Sequence, residues 1–159
     1  NHFKKYNIEA LPVPSLALGS IGMSLYDLTK IYTQFFLEGT YINPLFITSI
    51  TIDNIKYSQT PKMEIIGNKT HYKQIKSIMT GLFDPNIKHS TASNIGSLLN
   101  KQCYGKSGLT DYDSYMIGFN DEILVAVWSG YINNKPLLDS NLKRLPKEIF
   151  LKQINSYNK

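Results

Sequence analysis

A cation, a hydroxyl and a residue without a side chain follow one another at Lys106, Ser107 and Gly108. A lysine attracts an anionic substrate group, and a hydroxyl can donate a hydrogen bond to it. A glycine within a strand lets another backbone approach closely. The three residues therefore predict a strand that binds an anionic, extended ligand. The tripeptide alone is weak evidence, because a plain turn between two strands would also explain it.

Two apolar segments of strand composition follow the tripeptide and are separated by Asn120-Asp121-Glu122. Branched and aromatic side chains dominate both segments, as is typical of β-strands. The three polar residues between them indicate a hairpin connection. We therefore expect three adjacent antiparallel strands, with the last helix of the chain packed on one face of their sheet. The strands are predicted at Gly105 to Thr110, Ser114 to Phe119 and Ile123 to Gly130.

Helix-start and helix-stop residues mark the helices that must support this sheet. Ser24 is a good N-cap, with Asp27 three positions later and Gly39 as the stop, so a helix of about four turns is predicted. Helical spacing of apolar residues predicts a second helix from His71 to Leu82. Pro146 fits the first turn of a last helix. The N–H groups of this turn have no acceptor within the helix, so a proline, which lacks an N–H, loses no hydrogen bond there.

The segment between the first two helices predicts a hairpin. β-Branched residues favour a strand from Phe46 to Ile52, and Asp53-Asn54 favours a two-residue turn into a returning strand from Ile55 to Ser58. We predict a turn over residues 40–44, which end in proline, and an irregular connection over residues 59–69. Together the elements predict an α/β fold of the α+β type, an antiparallel sheet packed with helices.

Length and composition limit the function classes. The chain has 159 residues, of which 42% are hydrophobic and 18% are charged, so we expect one globular domain with one core over residues 1–159. No apolar run reaches the length of about 18 residues that crosses a membrane. The net charge is +5, but scattered lysines indicate a solvated surface rather than a nucleic-acid site. Cys103 is the only cysteine, and His2, His71 and His89 lack metal-site spacing, so no metal and no other cofactor is expected.

Several blocks, taken in order, resemble the bifunctional class A penicillin-binding proteins. Pro14 to Gly19, the helix from Ser24 to Gly39, and Tyr41 to Pro44 resemble a block that lies between that family's second active-site motif and its Lys-Thr-Gly strand. Lys106-Ser107-Gly108 resembles that strand, the third motif of penicillin-binding proteins and serine β-lactamases. Ala126 to Tyr131 resembles the end of a later strand, Val-Trp-x-Gly-Tyr. The resemblance extends from the first of these blocks to the last.

This resemblance implies that residues 1–159 are the C-terminal portion of a transpeptidase domain, with part of the fold of penicillin-binding proteins and serine β-lactamases. The nucleophile motif Ser-x-x-Lys and the Ser-x-Asn motif are expected upstream of Asn1, because matches such as Ser140 to Lys143 follow the Lys-Ser-Gly in the wrong order. The implied parent protein is a serine D-Ala-D-Ala transpeptidase at the extracytoplasmic face of the bacterial cell membrane. Its partners would be peptidoglycan stem peptides, β-lactam antibiotics and the upstream part of the same protein. No nucleic acid is expected, membrane contact is expected only through an absent N-terminal anchor, and this chain alone is expected to be inactive.

The resemblance also implies roles for five residues of the predicted strand. Lys106 and Leu109 are the candidate catalytic residues. Lys106 would supply positive charge near the terminal carboxylate of the substrate and help to set the proton affinities of the catalytic hydroxyls, and the backbone N–H of Leu109 would be one of two oxyanion donors. Ser107, Gly108 and Thr110 are the candidate substrate-binding residues. Ser107 would donate to the substrate carboxylate, and Gly108 would let the substrate backbone lie against the strand. Leu109 departs from the family, which usually has threonine there, and Thr110 is expected on the opposite face of the strand.

Two other functions stay open at this point. One is a binding or sensing module of the same superfamily that has lost turnover, for which Leu109 is the only indication. The other is a basic nucleic-acid-binding domain, supported only by the charge and by the 11 tyrosines. A Ser-x-x-Lys followed by a Ser-x-Asn in the upstream sequence would favour the transpeptidase over the nucleic-acid-binding domain.

Overall fold

The computed structural model describes Ile8 and residues 12–19 and 21–157, so His2 lies outside the described residues. The strands form three antiparallel sheets, which pair β1 with β4, β2 with β3, and β5, β6 and β7 in that order. This is the α+β arrangement that the sequence predicts. In chain order the elements are a 3-10 helix at Pro14–Leu18, α1 (Leu25–Phe36), β1 (Thr40–Ile42), β2 (Ser49–Ile52), β3 (Ile55–Ser58), β4 (Met63–Ile65), α2 (Lys69–Met79), a 3-10 turn at Thr80–Leu82, α3 (Ser93–Gly96), β5 (Tyr104–Leu109), β6 (Asp113–Phe119), β7 (Leu124–Gly130) and α4 (Ser140–Ser156).

The sheet of β5, β6 and β7 confirms the three predicted strands and their order. Ser107 on β5 lies opposite Met116 on β6, which lies opposite Val127 on β7. Asn120 closes the predicted hairpin, because its Oδ1 accepts from the N–H of Glu122 at 2.8 Å and from the N–H of Ile123 at 3.0 Å. This sheet positions the Lys-Ser-Gly tripeptide on an edge strand.

Helices pack on both faces of this sheet. Side chains alternate between the faces along each strand, and Met116 packs with Phe150 of α4 in the buried core, which confirms the predicted packing of the last helix. On the opposite face, the ring centroid of Phe119 lies 5.8 Å from that of Phe36 in α1. The core on the α4 side also contains Phe83, Ala92, Ile95, Cys103, Val125 and Ile154.

Helix α1 begins and ends close to the predicted residues. Ser24 accepts a hydrogen bond from the N–H of Asp27 at 3.0 Å, which confirms the predicted cap. Gly39 follows the helix with φ of 103°, a conformation that side chains rarely adopt. A Cβ at Gly39 would also lie 2.8 Å from the Gly67 carbonyl oxygen, so the chain can leave the helix this way only at a glycine. Helix α2 begins two residues before His71, and the 3-10 turn continues it to Leu82.

Helix α4 differs from its prediction, because it begins at Ser140 and contains Pro146 in its interior. The N-cap is Asp139, which accepts from the N–H of Asn141 at 2.8 Å. A proline inside a helix has no N–H for the carbonyl four residues earlier, here that of Leu142. Ser129 of β7 donates its hydroxyl to that carbonyl at 2.8 Å. The packing of α4 on the sheet thus gives the Leu142 carbonyl a donor in place of the N–H that Pro146 lacks.

The region between α1 and α2 corrects two predictions. Residues 40–42 of the predicted turn form β1, and residues 63–65 of the predicted connection form β4, which pairs with β1 in antiparallel register. The hairpin of β2 and β3 is confirmed, and Asp53 and Asn54 have φ of 50° and 65°, as its two-residue turn requires. Strand β2 begins at Ser49 rather than Phe46, and the side chains of both hairpin strands are exposed.

Across the ranges given above, no helix combines the length and the apolar character that crossing a bilayer requires.

Candidate functional site

Strand β5 lies at the edge of the central sheet and presents its side chains to two faces. Because side chains alternate, Lys106 and Gly108 lie on the face of α1, whereas Ser107 and Leu109 lie on the face of α4. Lys106 is exposed, whereas Ser107 is only 9% exposed. The cation and the hydroxyl of the tripeptide therefore reach the same strand edge from opposite sides.

A groove of about 460 Å³ lies along β5 and receives side chains from α4. Three lysines line the groove, and no aspartate or glutamate is among its described lining residues. Such a set of charges attracts an anion. The lining residues are Thr91, Lys106, Ser107, Gly108, Leu109, Ser114, Lys143 and Lys147.

Thr91 connects Ser107 to α4. The Oγ1 of Thr91 lies 2.5 Å from the Oγ of Ser107, and either hydroxyl can be the donor. The carbonyl of Thr91 accepts a hydrogen bond from the Nζ of Lys147. Two hydroxyls carry two protons and their mutual bond uses one, so one proton is left for a ligand in the groove.

The hydrogen-bond pattern of the sheet determines which backbone groups of β5 are available. The N–H of Thr110 donates to the carbonyl of Asp113 at 2.9 Å, so these residues form a hydrogen-bonded pair. Bonded and non-bonded pairs alternate in an antiparallel ladder, so Ser107 and Leu109 direct their backbone groups away from β6. No strand of the described chain pairs with that edge. The N–H of Leu109 is thus available to a ligand lying along the edge.

Lys106 reaches the same edge with its ammonium group. Its Nζ donates to the carbonyl of Ser107 at 2.5 Å. An ammonium has three donor hydrogens, so two of them stay available for a ligand. The bond fixes a positive charge beside the outward N–H groups of β5, where it can act on a ligand along the edge.

Leu109 and Thr110 differ in their relation to the groove. The side chain of Leu109 is 62% exposed and lines the groove. Thr110 follows the strand, and its Oγ1 accepts from the N–H of Tyr112 at 3.1 Å and of Asp113 at 2.9 Å. Thr110 is not among the groove residues, so its substrate-binding role stays a prediction and its hydroxyl serves the turn.

Burial shifts the pKa of two groups near the strand. It lowers the pKa of Lys147, because removal from water disfavours the charged ammonium. Burial and, to a smaller extent, the charge of Asp113 raise the pKa of Tyr115, which lies opposite Gly108. Asp113 also accepts from the Nε1 of Trp128 at 2.7 Å, so it is held in the β5–β6 turn.

Sequence reasoning misses four groove residues, namely Thr91, Ser114, Lys143 and Lys147. Lys143 and Lys147 are four positions apart, a spacing that brings side chains together on a helix. The prediction starts the helix at Pro146 and so leaves Lys143 outside it. The helical spacing of the two lysines could therefore not be recognised. Thr91 has no local signal, since it approaches Ser107 only through the tertiary fold.

Within the described residues, no three histidine, cysteine, aspartate or glutamate side chains converge as metal ligands. The polar groups that line the described groove are lysine ammonium groups, hydroxyls and backbone groups of β5.

Comparison with known family profiles finds no match. Among curated proteins, the chain is 30% identical over 143 residues to penicillin-binding protein 2D of Bacillus subtilis, covering 87% of this chain and 21% of that protein. It is 30% identical over 139 residues to penicillin-binding protein 1A of Aquifex aeolicus, covering 84% of this chain and 18% of that protein. The chain thus spans about a fifth of the length of these relatives.

A solved structure shares the fold of this chain. A structure of penicillin-binding protein A from M. tuberculosis, an imipenem acyl-enzyme complex, matches with a TM-score of 0.63 over 92% of this chain and 36% of that chain. The two sequences are 15% identical, so this likeness concerns the fold alone. The sequence matches over about 85% of the chain identify it as a relative of the class A penicillin-binding proteins.

Proposed function

We propose that residues 1–159 are the C-terminal portion of a serine D-Ala-D-Ala transpeptidase domain and that β5 forms one wall of its active site. The nucleophilic serine belongs to an upstream part of the same protein, and the parent protein acts on peptidoglycan at the extracytoplasmic face of the membrane. The relationship to class A penicillin-binding proteins supports this assignment. Their length, about five times that of the matched segment, leaves room for the nucleophile elsewhere.

The observation that carries the proposal is the outward N–H of Leu109 at an open strand edge, between the ammonium of Lys106 and the groove. An extended peptide can lie along such an edge and pair with it as an added strand. In this position the scissile carbonyl oxygen of a substrate comes to the N–H of Leu109. Because the donor is a backbone group, the leucine side chain does not remove it.

The proposed reaction is acyl transfer through a covalent enzyme intermediate. The upstream serine forms a bond to the carbonyl carbon of the penultimate D-alanine, and the oxygen of that carbonyl becomes an oxyanion. When the tetrahedral intermediate collapses, the bond to the terminal D-alanine breaks and the serine proton passes to the departing amine. An amine of a neighbouring stem peptide then attacks the acyl carbon. The new amide bond is the cross-link, the ester bond to the serine breaks, and a proton from the amine passes to the serine oxygen.

The groups of β5 have separate roles in these steps. The N–H of Leu109 donates to the oxyanion, which is stronger as an acceptor in the transition state than in the substrate. Lys106 supplies positive charge near the terminal carboxylate of the substrate and helps to set the proton affinities of the catalytic hydroxyls. Ser107 donates to the terminal carboxylate of the substrate. Gly108 lets the substrate backbone approach, and we keep Thr110 as a weaker candidate for substrate binding.

The comparisons do not favour the alternative functions. A non-catalytic binding module of the same fold would still use the groove but would not need the N–H of Leu109. A nucleic-acid-binding domain would need its lysines on one surface that follows a phosphate backbone. Three lysines line the groove here, and their close grouping suits a small anion.

The test is the rate at which the complete protein is acylated by a fluorescent penicillin, for the wild type and for Lys106→Ala. We expect the acylation rate of the variant to fall by about tenfold or more, because the variant loses a positive charge from the substrate pocket. Lys56→Ala is the matched control, since Lys56 lies in the exposed hairpin of β2 and β3. A wild type that is never acylated, or equal rates in all three proteins, would reject the proposed function.

A further inference from the structure

Lys143 and Lys147 contribute two cationic side chains from α4 to the groove along β5. Both side chains come from α4, one helical turn apart, and both line the groove with Ser107 and Leu109. No role in the proposed acyl transfer has been given to either lysine. Ser107 and Leu109 lie on the α4 face of the strand, whereas Lys106 lies on the other face.

Hydrogen bonds hold the backbone of Lys143 in place, whereas its side-chain ammonium group has no partner among the described residues. Its N–H donates to the Asp139 carbonyl at 3.2 Å, and its carbonyl accepts from the hydroxyl of Ser114 at 2.7 Å. Between residues 21 and 157, its Nζ has neither a hydrogen bond nor an ion pair with another side chain. The side chain is only partly exposed. An ammonium without a counter-charge that lines the same groove as the Ser107 hydroxyl is a binding group for an anion.

Lys147 is linked to the same hydroxyl through Thr91. Its Nζ bonds to the Thr91 carbonyl, and the Thr91 side chain bonds to Ser107. Lys147 therefore positions Ser107 and also adds a second charge. Burial lowers the pKa of Lys147, which agrees with an ammonium that is partly removed from solvent in the groove.

We propose that Lys143 and Lys147 form, together with Ser107, the binding site for the terminal carboxylate of the substrate. Their charge takes the place of the second hydroxyl that Leu109 does not supply. This inference rests on the proposed function, because it names the substrate group that the groove recognises. The exposed leucine side chain forms the apolar wall of the site and shields the ion pair from water.

The experiment compares two ligands in the complete protein. Benzylpenicillin carries a carboxylate, and its methyl ester does not. Intact-mass measurements give the second-order acylation rate by each ligand for the wild type, Lys143→Met, Lys143→Arg and Lys147→Met. We expect Lys143→Met to lower the rate with benzylpenicillin about fivefold or more and to leave the rate with the ester unchanged. Lys143→Arg should keep most of the rate with benzylpenicillin, because it keeps the charge.

Lys152→Met is the matched control, since Lys152 is an exposed lysine of α4 that is not among the groove residues. If Lys147→Met loses rate with both ligands, it acts by displacing Ser107, and Lys143 alone then carries the ionic part of the proposal. Equal losses with both ligands in Lys143→Met, or no loss with either, would overturn the proposal while leaving the transpeptidase assignment intact. A wild type that neither ligand acylates would reject the transpeptidase assignment itself.

Discussion

Ser129 donates its hydroxyl to the carbonyl of Leu142 at 2.8 Å and so replaces the N–H that Pro146 lacks. Ser129 and Pro146 are both buried, so water cannot take over this bond. We expect Ser129→Ala to lower the free energy of unfolding by about 1–3 kcal/mol, because it leaves a buried carbonyl unpaired.

Ser114→Ala is the matched control for this prediction. Its hydroxyl donates to the carbonyl of Lys143 at 2.7 Å, but that carbonyl is also the regular helical acceptor for the N–H of Lys147. The loss should therefore be smaller, about 0.5–1.5 kcal/mol. Chemical denaturation of both variants gives the comparison. If Ser114→Ala costs as much as Ser129→Ala, the proline does not explain the importance of Ser129.

Lys76 connects three elements through one partly buried ammonium group. Its Nζ lies 3.1 Å from Asp121 Oδ1, 3.7 Å from Glu38 Oε1 and 4.5 Å from the ring centroid of Tyr104. We expect Lys76→Met to lower the free energy of unfolding by about 1 kcal/mol, chiefly through the lost contact with the ring and with Glu38. Asp121 is 83% exposed, so that pair contributes little.

The control for Lys76 is Lys73→Met, which removes a 59% exposed lysine that lies 4.0 Å from the same glutamate. An exposed pair of this kind changes the free energy of unfolding by about 0.5 kcal/mol or less. Thermal or chemical denaturation with equal effects in the two variants would contradict the importance of the ring contact.

Leu109→Thr in the complete protein would add a hydroxyl beside the proposed carboxylate site. A hydrogen bond to a charged group is worth about 1.5–3 kcal/mol, so acylation by β-lactams should become about tenfold faster or more. Leu109→Ala should change the rate little, because the oxyanion donor is a backbone group. Unchanged rates in Leu109→Thr together with unchanged rates in Lys106→Ala would mean that β5 does not line the pocket.

The chain alone should form no covalent adduct with a fluorescent penicillin, because the proposed nucleophile is not part of it. Ser140 and Ser156 each begin a Ser-x-x-Lys match, but the structure uses them at the two ends of α4, and Lys159 lies outside the described residues. Intact-mass spectrometry after incubation is the measurement. A mass increase of one drug molecule would make these serines candidates again.

Cys103 provides a pH-dependent prediction. Burial raises the pKa of its thiol from 9.0 to about 11, so the folded protein keeps the thiol neutral where the unfolded chain would ionise it. The folded state keeps the full stability contribution of the neutral Cys103 thiol below pH 9. The free energy of unfolding then falls as the pH rises from 9 towards 11, because ionisation of the thiol favours the unfolded chain. A thiol reagent at pH 8 should therefore react slowly with the native protein and quickly with the unfolded chain. Fast labelling of the native protein would show that Cys103 is accessible to the reagent and would contradict this prediction.

Elements that depend on neighbouring residues were predictable from the sequence. The cap at Ser24, the Asp53-Asn54 turn and the hairpin at Asn120 all arise from contacts within a few positions. Strands β1 and β4 were not predictable in this way, because each has three residues and is stabilised by a partner more than 20 positions away. Short strands of this kind carry no readable period.

The candidate site was predictable only where it lies on one strand. The Lys-Ser-Gly tripeptide indicates the position and chemistry of β5, whereas Thr91 and α4 supply the other side of the groove. The start of α4 depends on a serine of β7 that satisfies a helix carbonyl, and no local pattern reveals such a compensation. The prediction for α4 was therefore wrong in the region that contains Lys143.

The alternation along β5 gives position 109 two separable properties. Its side chain lies in the groove, whereas its N–H points to the open edge. Under the proposed function, exchanging the side chain alters which ligands are preferred while the chemical step keeps its donor. Proline is the exception, because it removes the N–H itself. If the proposed function holds, a substitution at position 109 changes which β-lactams bind well but leaves cross-linking intact. Related sequences should then carry varied side chains at this position but no proline.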